Sequence, residues 1–492
     1  MLEKSLVYKL LIPIFVANNA AQVANYRMRN TIITLTFLLI FTIFGFQCTL
    51  FEKTEKWHSW ERPLLLDLDE ITARGYLRAV VDNSSTGYYI YRGRRMGYEF
   101  EMLKSLASSL NVRLHLIVKS DIHEAFDLLN RGKADIVAMN LEINEERRQF
   151  VAFSKPLGTM GTVLVQKEGT QPVESPLDLQ DKTIHIQRGA VYKAQLCSLM
   201  NSMGVDFAVI EEKGNGDTFV EKVLKGEIEY SVVDRVVALV NASHHSDLRV
   251  GMELSPKADV AWAIRKNSPQ LEKALNDWIG KKEKSGYIRT MYAKYFQNSN
   301  NQYYRNNSQY SSLAGNRISP YDELIKANAD NLGWDWRLLA SLVYKESGFD
   351  SAATSVAGAT GLLQLMPVTL ERFGVDNPND PIQSMAGGVN FLKYLDRFWR
   401  QRVPDTNERL KFVLASYNIG HGHVEDAWKL TLKYGKNPQD WKEVAGFLRL
   451  KSDPKYFNDP VVKSGFAKGN VAVNYVQDIL LLYDSYRTLV TP

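Results

Sequence analysis

Glu346 is the residue whose setting first suggests chemistry. The segment Trp334 to Ser347 reads as one helix in which Leu338, Leu339, Leu342 and Val343 form an apolar stripe, and Gly348 stops it. Glu346 lies three, four and seven residues after Val343, Leu342 and Leu339, so its carboxyl falls on the apolar side. Burial disfavours the ionised form, and the negative end of the helix dipole acts in the same direction, so the pKa is expected to rise. A carboxyl that keeps its proton near neutral pH can serve as a general acid. The plain alternative is a frayed last turn with Glu346 in water, and periodicity alone leaves both open. His421-Gly422-His423 has metal-ligating types, but two histidines without a nearby third ligand read as a loop, and no metal is expected.

The elements that must hold such a group divide the chain. At 492 residues it needs at least two cores. Its composition, 45% apolar and 23% charged, is that of a chain folding mostly in water. A net charge of +5 is too dilute to argue for nucleic acid, and none is expected as a partner. From about residue 75 strands and helices alternate: Leu77 to Val81 a strand, Glu99 to Leu110 a helix, Val112 to Val118 a strand, Glu124 to Leu129 a helix, Ala134 to Ala138 a strand. That pattern predicts an α/β region with a largely parallel sheet over 70–297. The stretch from Asn298 to Ser312 is mostly Asn, Gln, Ser and Tyr, with little to bury, so 298–318 reads as a linker. From 319 to 492 the patterns are helical, and Lys and Arg balance Asp and Glu, so bulk attraction to an anionic polymer is not expected there.

Residues 1–48 read as an export segment and 49–69 as a tether. Asn30 to Phe51 carries no charge over 22 residues, long enough to span a bilayer. Gly45-Phe46-Gln47-Cys48 resembles a bacterial lipoprotein box, although Gln47 stands where a small residue is usual. The resemblance implies a diacylglycerol on Cys48, with an uncleaved membrane anchor and a plain secretory peptide as the alternatives. A start at Met28 would leave an ordinary signal ahead of Cys48, so 1–27 are expected to be untranslated. Two cysteines cannot build a disulfide framework, and Cys197, in a helical pattern, reads as a buried, inert thiol.

Several stretches carry family resemblances. Gly75-Tyr76-Leu77-Arg78-Ala79-Val80, Gly97-Tyr98-Glu99-Phe100-Glu101, Asn144-Glu145-Glu146-Arg147-Arg148 and Ala261-Trp262-Ala263-Ile264 resemble the extracellular solute-binding proteins of the amino-acid type. This implies two lobes joined by crossing strands and closing on a small ligand, with Arg147 gripping its carboxylate and Asp234 its amine. A guanidinium fork suits a carboxylate because it makes two parallel charge-assisted bonds. Without the family, Arg147 reads as part of a solvated turn and Asp234 as a helix cap. Fusion to a second domain favours sensing over delivery to a transporter, and the expected ligand is a muropeptide or an amino acid.

Further along, Glu346-Ser347-Gly348-Phe349-Asp350, Gly361-Leu362-Leu363-Gln364-Leu365-Met366-Pro367, Ala415-Ser416-Tyr417-Asn418 and Asn474-Tyr475-Val476 resemble the soluble lytic transglycosylase domain, related to goose-type lysozyme. That implies a mainly α, lysozyme-like domain cleaving peptidoglycan glycan strands between N-acetylmuramic acid and N-acetylglucosamine, without a cofactor. Glu346 would be acid and then base. Ser347 and Tyr475 would orient its carboxyl, Gln364, Tyr417 and Asn418 would hold the acetamido group and sugar hydroxyls, and Met366 would line the groove. The product would be a 1,6-anhydro sugar, made on the periplasmic side of the cell envelope by a lipoprotein held at the outer membrane. The alternatives are a hydrolytic muramidase of lysozyme type and a solute receptor or wall-binding protein with an inactive rear domain.

Overall fold

The computed structural model describes residues 64–490 apart from 244, 256, 298–304, 306, 307, 314 and 315. Cys48 and the export segment lie outside the described residues, among which no helix is long and apolar enough to cross a membrane.

The front region is two lobes, each built on its own sheet. Its strands are β1 (Tyr76–Val81), β2 (Tyr89–Tyr91), β3 (Arg94–Met96), β4 (Arg113–Val118), β5 (Ile136–Glu142), β6 (Ala152–Phe153), β7 (Gly158–Met160), β8 (Thr162–Lys167), β9 (Thr183–Gln187), β10 (Ala208–Glu212), β11 (Tyr230–Asp234), β12 (Leu248–Glu253) and β13 (Ala258–Ile264). The first sheet runs β4-β1-β5-β13-β6 with β7 also on β13, and the second runs β10-β9-β11-β8-β12. The expected parallel sheet holds only for β4-β1-β5 and β10-β9-β11. β13 is antiparallel to β5, β6 and β7, and β8 is antiparallel to β11 and β12. The physical reason is the return path: the chain crosses between lobes at β7–β8 and comes back at β12–β13, which reverses strand direction. β8 is buried on both faces, Val163 and Val165 in one apolar cluster and Leu164 in the other, which explains its unbroken apolar run.

The first lobe is pinned by Asp135, whose side chain is fully buried. It accepts from Arg74 Nη2 at 2.5 Å, from Arg78 N at 2.9 Å and Nη2 at 2.8 Å, and faces Arg265 at 3.5 Å. Burial alone would raise its pKa, but the Arg78 bonds and the Arg78 and Arg74 charges outweigh it and the pKa is lowered.

Behind it lie helices only: Asp322–Leu332, Trp336–Ser347, Pro367–Arg372, Pro381–Arg400, Thr406–Ile419, His421–Lys433, Trp441–Leu450 and Gly469–Leu489 are the main ones. His421 and His423 open a helix rather than forming the expected loop; His421 packs edge-on against Tyr394 and Phe398, and His423 faces Lys451. One continuous apolar cluster joins the first lobe to the helical region, from Leu77 and Trp262 through Leu339 and Trp399 to Tyr475. The end of the expected linker is docked, not free: Ser311 is fully buried and bridges Tyr91, and Ser312 N donates to Ile90 O at 2.9 Å. Its backbone finds partners on the β2 edge, a source of order that composition does not report. Cys197 is half-buried rather than buried.

Asp135→Ala leaves three guanidinium groups without their shared carboxylate. It is expected to destabilise the front domain by about 3–5 kcal/mol in urea unfolding followed by tryptophan fluorescence.

Candidate functional site

The helix Trp336–Ser347 is capped by Asp335, which accepts from Arg337 N, and it ends at Gly348 in the left-handed region. Leu339, Leu342 and Val343 are fully buried, and Glu346 sits half-buried on the same side. Tyr475, from the helix Gly469–Leu489, donates its hydroxyl to Glu346 Oε1. Burial pushes the Glu346 carboxyl up to about 7, against the lowering effects of the Tyr475 bond and the Lys345 charge. The frayed-turn alternative is thus replaced by a held, largely desolvated acid.

After Gly348 and Phe349 the chain folds back through bridges Thr354–Thr360 and Thr360–Leu365. Gly361 is required there, because its φ is +82° and a Cβ would overlap the Pro378 carbonyl. Gln364 itself has φ +46°, uncommon outside glycine. Its amide donates to Ala353 O at 2.8 Å and Gly361 O at 3.0 Å, leaving its oxygen free to accept. Tyr417 donates to Leu363 O at 2.6 Å, and its pKa is raised, first by burial and then by Glu346. Asn418 is exposed beside it, and Met366 is 45% exposed at the start of the helix Pro367–Arg372. Ser347 departs from expectation. Its hydroxyl donates to Val343 O of its own helix at 3.2 Å, so Tyr475 alone of the two holds the carboxyl.

A second site lies between the front lobes. Arg147 and Asp234 line one cleft with Asp82, Glu142, Tyr192 and Asp217. Asn144 caps the short helix Glu145–Arg148 by accepting from Arg147 N, and Arg147 is 7% exposed, not on a solvated turn. Its guanidinium donates to Glu142 O at 2.9 Å and Gly189 O at 3.2 Å, which leaves further N–H groups. Asp234 stands at the head of the helix Arg235–Ala242 without making a side-chain cap; it accepts from Tyr192 at 2.8 Å. Burial pushes Asp234 up to about 7 and Asp82 up to about 6. Sequence reasoning missed Asp82, although an acid at the carboxyl end of a parallel strand is a recognisable ligand position.

Comparison with known proteins gives two domain matches: bacterial extracellular solute-binding proteins, family 3, over residues 77–298, and the transglycosylase SLT domain over 323–439. The chain is 31% identical over 431 residues to the membrane-bound lytic murein transglycosylase F of Desulfosudis oleivorans, covering 87% of this chain and 93% of the relative. The chain belongs to the membrane-bound lytic murein transglycosylase F family. Another relative of that name, from Shewanella sediminis, is 32% identical, with 79% of this chain and 80% of the relative covered. Among solved structures, an ancestral amino acid-binding protein, a precursor of cyclohexadienyl dehydratase, aligns at 26% identity with a TM-score of 0.42, covering 46% of this chain and 99% of that one. By its two domain matches and its two sheets, this transglycosylase F family member joins a two-lobed solute-binding domain to a helical transglycosylase domain. The SLT match contains Glu346, Gln364 and Tyr417 but ends before Tyr475, which only folding returns to the site.

The raised pKa carries a stability consequence. At pH 8 the fold holds an ionised Glu346 where that form is disfavoured, whereas at pH 4 the carboxyl is protonated folded and unfolded alike. Glu346→Gln is expected to stabilise the protein by roughly 1–2 kcal/mol at pH 8 and by little at pH 4, read from denaturant midpoints.

Proposed function

We propose that this lytic transglycosylase cleaves the β-1,4 bond between N-acetylmuramic acid and N-acetylglucosamine and closes a 1,6-anhydro ring on the muramic acid. The observation that carries this is the Glu346 carboxyl held by the Tyr475 hydroxyl, with its pKa pushed up to about 7 by burial. Ordinary glycosidases use two carboxyl groups. Here one carboxyl acts twice and the substrate supplies the rest. Glu346 gives its proton to the leaving glucosamine oxygen as the C1–O bond breaks, and the muramyl acetamido oxygen stabilises the cationic C1. The Glu346 carboxylate then takes the proton of the muramyl 6-hydroxyl while O6 bonds to C1, so the proton is restored and no water is consumed. Tyr475 orients the carboxyl, and the free Gln364 oxygen, Asn418 and the Tyr417 neighbourhood hold the sugar, with Met366 along its path.

In the front cleft a small ligand with a free carboxylate and amine, a stem-peptide fragment or an amino acid, binds between Arg147 and Asp234 and regulates cleavage. We place the enzyme at the periplasmic side of the cell envelope, anchored through lipid on Cys48.

Glu346→Gln is expected to abolish release of anhydro-muropeptides from purified sacculi, followed by mass spectrometry. The parent's rate should fall about tenfold per pH unit above about 7, as the acid form is lost. Reducing-end muramic acid products, or undiminished release by the variant, would overturn this. In calorimetry with stem-peptide fragments, Arg147→Ala should weaken binding at least about tenfold. The parent should bind more tightly at pH 8 than at pH 6, since Asp234 must lose its proton to pair with an amine.

A further inference from the structure

The hairpin β2–β3 turns at Arg92 and Gly93, both at positive φ, which is the backbone a two-residue turn between twisted strands requires. Its tip leaves the front lobe and ends inside the helical domain. The Gly93 carbonyl accepts from Tyr486 at 2.7 Å in a fully buried bond. A Cβ on Gly93 would overlap the rings of Phe349 and Tyr344 and crowd the Tyr486 hydroxyl. Tyr344 and Phe349 flank Glu346 in sequence and pack on each other at 5.7 Å, and Phe349 is held at φ +68°, a strained conformation for a bulky residue. Tyr486 follows Tyr475 by three helical turns and so shares its face of the helix Gly469–Leu489.

The tip therefore touches both elements whose separation sets the Tyr475–Glu346 bond: the turn that ends the glutamate's helix, and the helix that carries Tyr475. It is braced from behind as well. Arg92 N donates to Tyr310 O and Ser312 N to Ile90 O, both at 2.9 Å, so the chain entering the helical domain clamps the hairpin's outer edge. Nearby, Arg113 Nη2 donates to Asn474 Oδ1 at 2.6 Å, one residue from Tyr475. We propose that the Arg92–Gly93 tip is a positioning element of the transglycosylase site, a wedge from the binding domain that holds the Glu346 turn and the Tyr475 helix in register. The proposal rests on the reading of Glu346 as the acid. The stretch leading into the wedge is also the one that lines the front cleft through Asp82, Ser84 and Thr86 and ties the lobes together through Ser85, which donates to Asp217 at 2.7 and 3.0 Å.

The test uses the full chain and soluble glycan strands. Gly93→Ala adds the overlapping methyl, and Tyr486→Phe removes only the bond to the Gly93 carbonyl while keeping the ring. Both are expected to lower kcat, Gly93→Ala on the order of tenfold and Tyr486→Phe about threefold, with KM within about twofold. Both should displace the alkaline limb of the pH–rate profile, because that limb reports the burial and the Tyr475 bond that together set the Glu346 pKa. Binding of stem-peptide fragments to the front cleft should stay at the parent's affinity. A role in stability alone would lower the melting temperature and leave the kcat and pH profile of the folded enzyme unchanged; that result in Tyr486→Phe overturns the proposal even where Gly93→Ala fails to fold. Full activity in Glu346→Gln would instead remove the reading beneath it, whereas an inactive Glu346→Gln beside normal wedge variants removes the wedge only.

Discussion

A carboxyl pressed against an apolar helix face is tolerable while it keeps its proton and finds a hydrogen-bond partner, and much of the helical domain is arranged around that condition. Leu339, Leu342 and Val343 exclude water from one side of Glu346, and Tyr475 supplies the donor from a helix that begins more than a hundred residues later. The same burial that costs stability when the group ionises produces an acid near 7. The strained backbone at Phe349 and Gln364 belongs to the same region, because the loop folds back sharply to set Gln364 on Ala353 and Gly361 and to offer the Leu363 carbonyl to Tyr417, whose hydroxyl feels the Glu346 charge. Such strain persists only where surrounding contacts over-determine it.

The binding domain and the catalytic domain are not beads on a string. One apolar cluster runs through the first lobe into the helical domain, and polar contacts at Gly93 and Arg113 fix the register between them. Removing either domain would expose that surface to water, so the two are expected to behave as parts of one cooperative body on that side. The second lobe is different: its two clusters are its own, and it meets the first through hydrogen bonds such as Ser85 to Asp217 and Gln195 to Glu142. Polar, replaceable contacts of this kind leave the two lobes less tightly joined than the first lobe and the helical domain.

Much of this was legible in the residues. The stripe ending at Glu346, the stop at Gly348 and the front-domain elements β1, Tyr98–Ser109, β4, Ile122–Asn130 and β5 follow from local periodicity and cap chemistry, which act over a few residues, whereas the helix Leu68–Arg74 and the short hairpin β2–β3 were not read. What was misread shares a cause. The antiparallel members of each sheet follow from a chain path that crosses the hinge twice, and the docking of Tyr310 to Ser312 follows from an open strand edge, neither of which composition encodes. Ser347 looked like a partner for the carboxyl, but a serine in the last helical turn has its own helix carbonyl closer to hand.

The sequence by itself determined the helix that carries Glu346 and the apolar stripe it ends on, because helix periodicity and capping are local; periodicity left the burial of the carboxyl open, and the acid role rested on the motif resemblance. Only the tertiary structure decided that Tyr475 rather than Ser347 holds that carboxyl, that Arg147 and Asp234 share a cleft with Asp82, and that a turn of the binding domain abuts the catalytic one. Those pairings join residues far apart in the chain, 129 positions for Tyr475 and Glu346 and 393 for Tyr486 and Gly93. Their geometry depends on how whole helices and lobes pack, which no local pattern specifies.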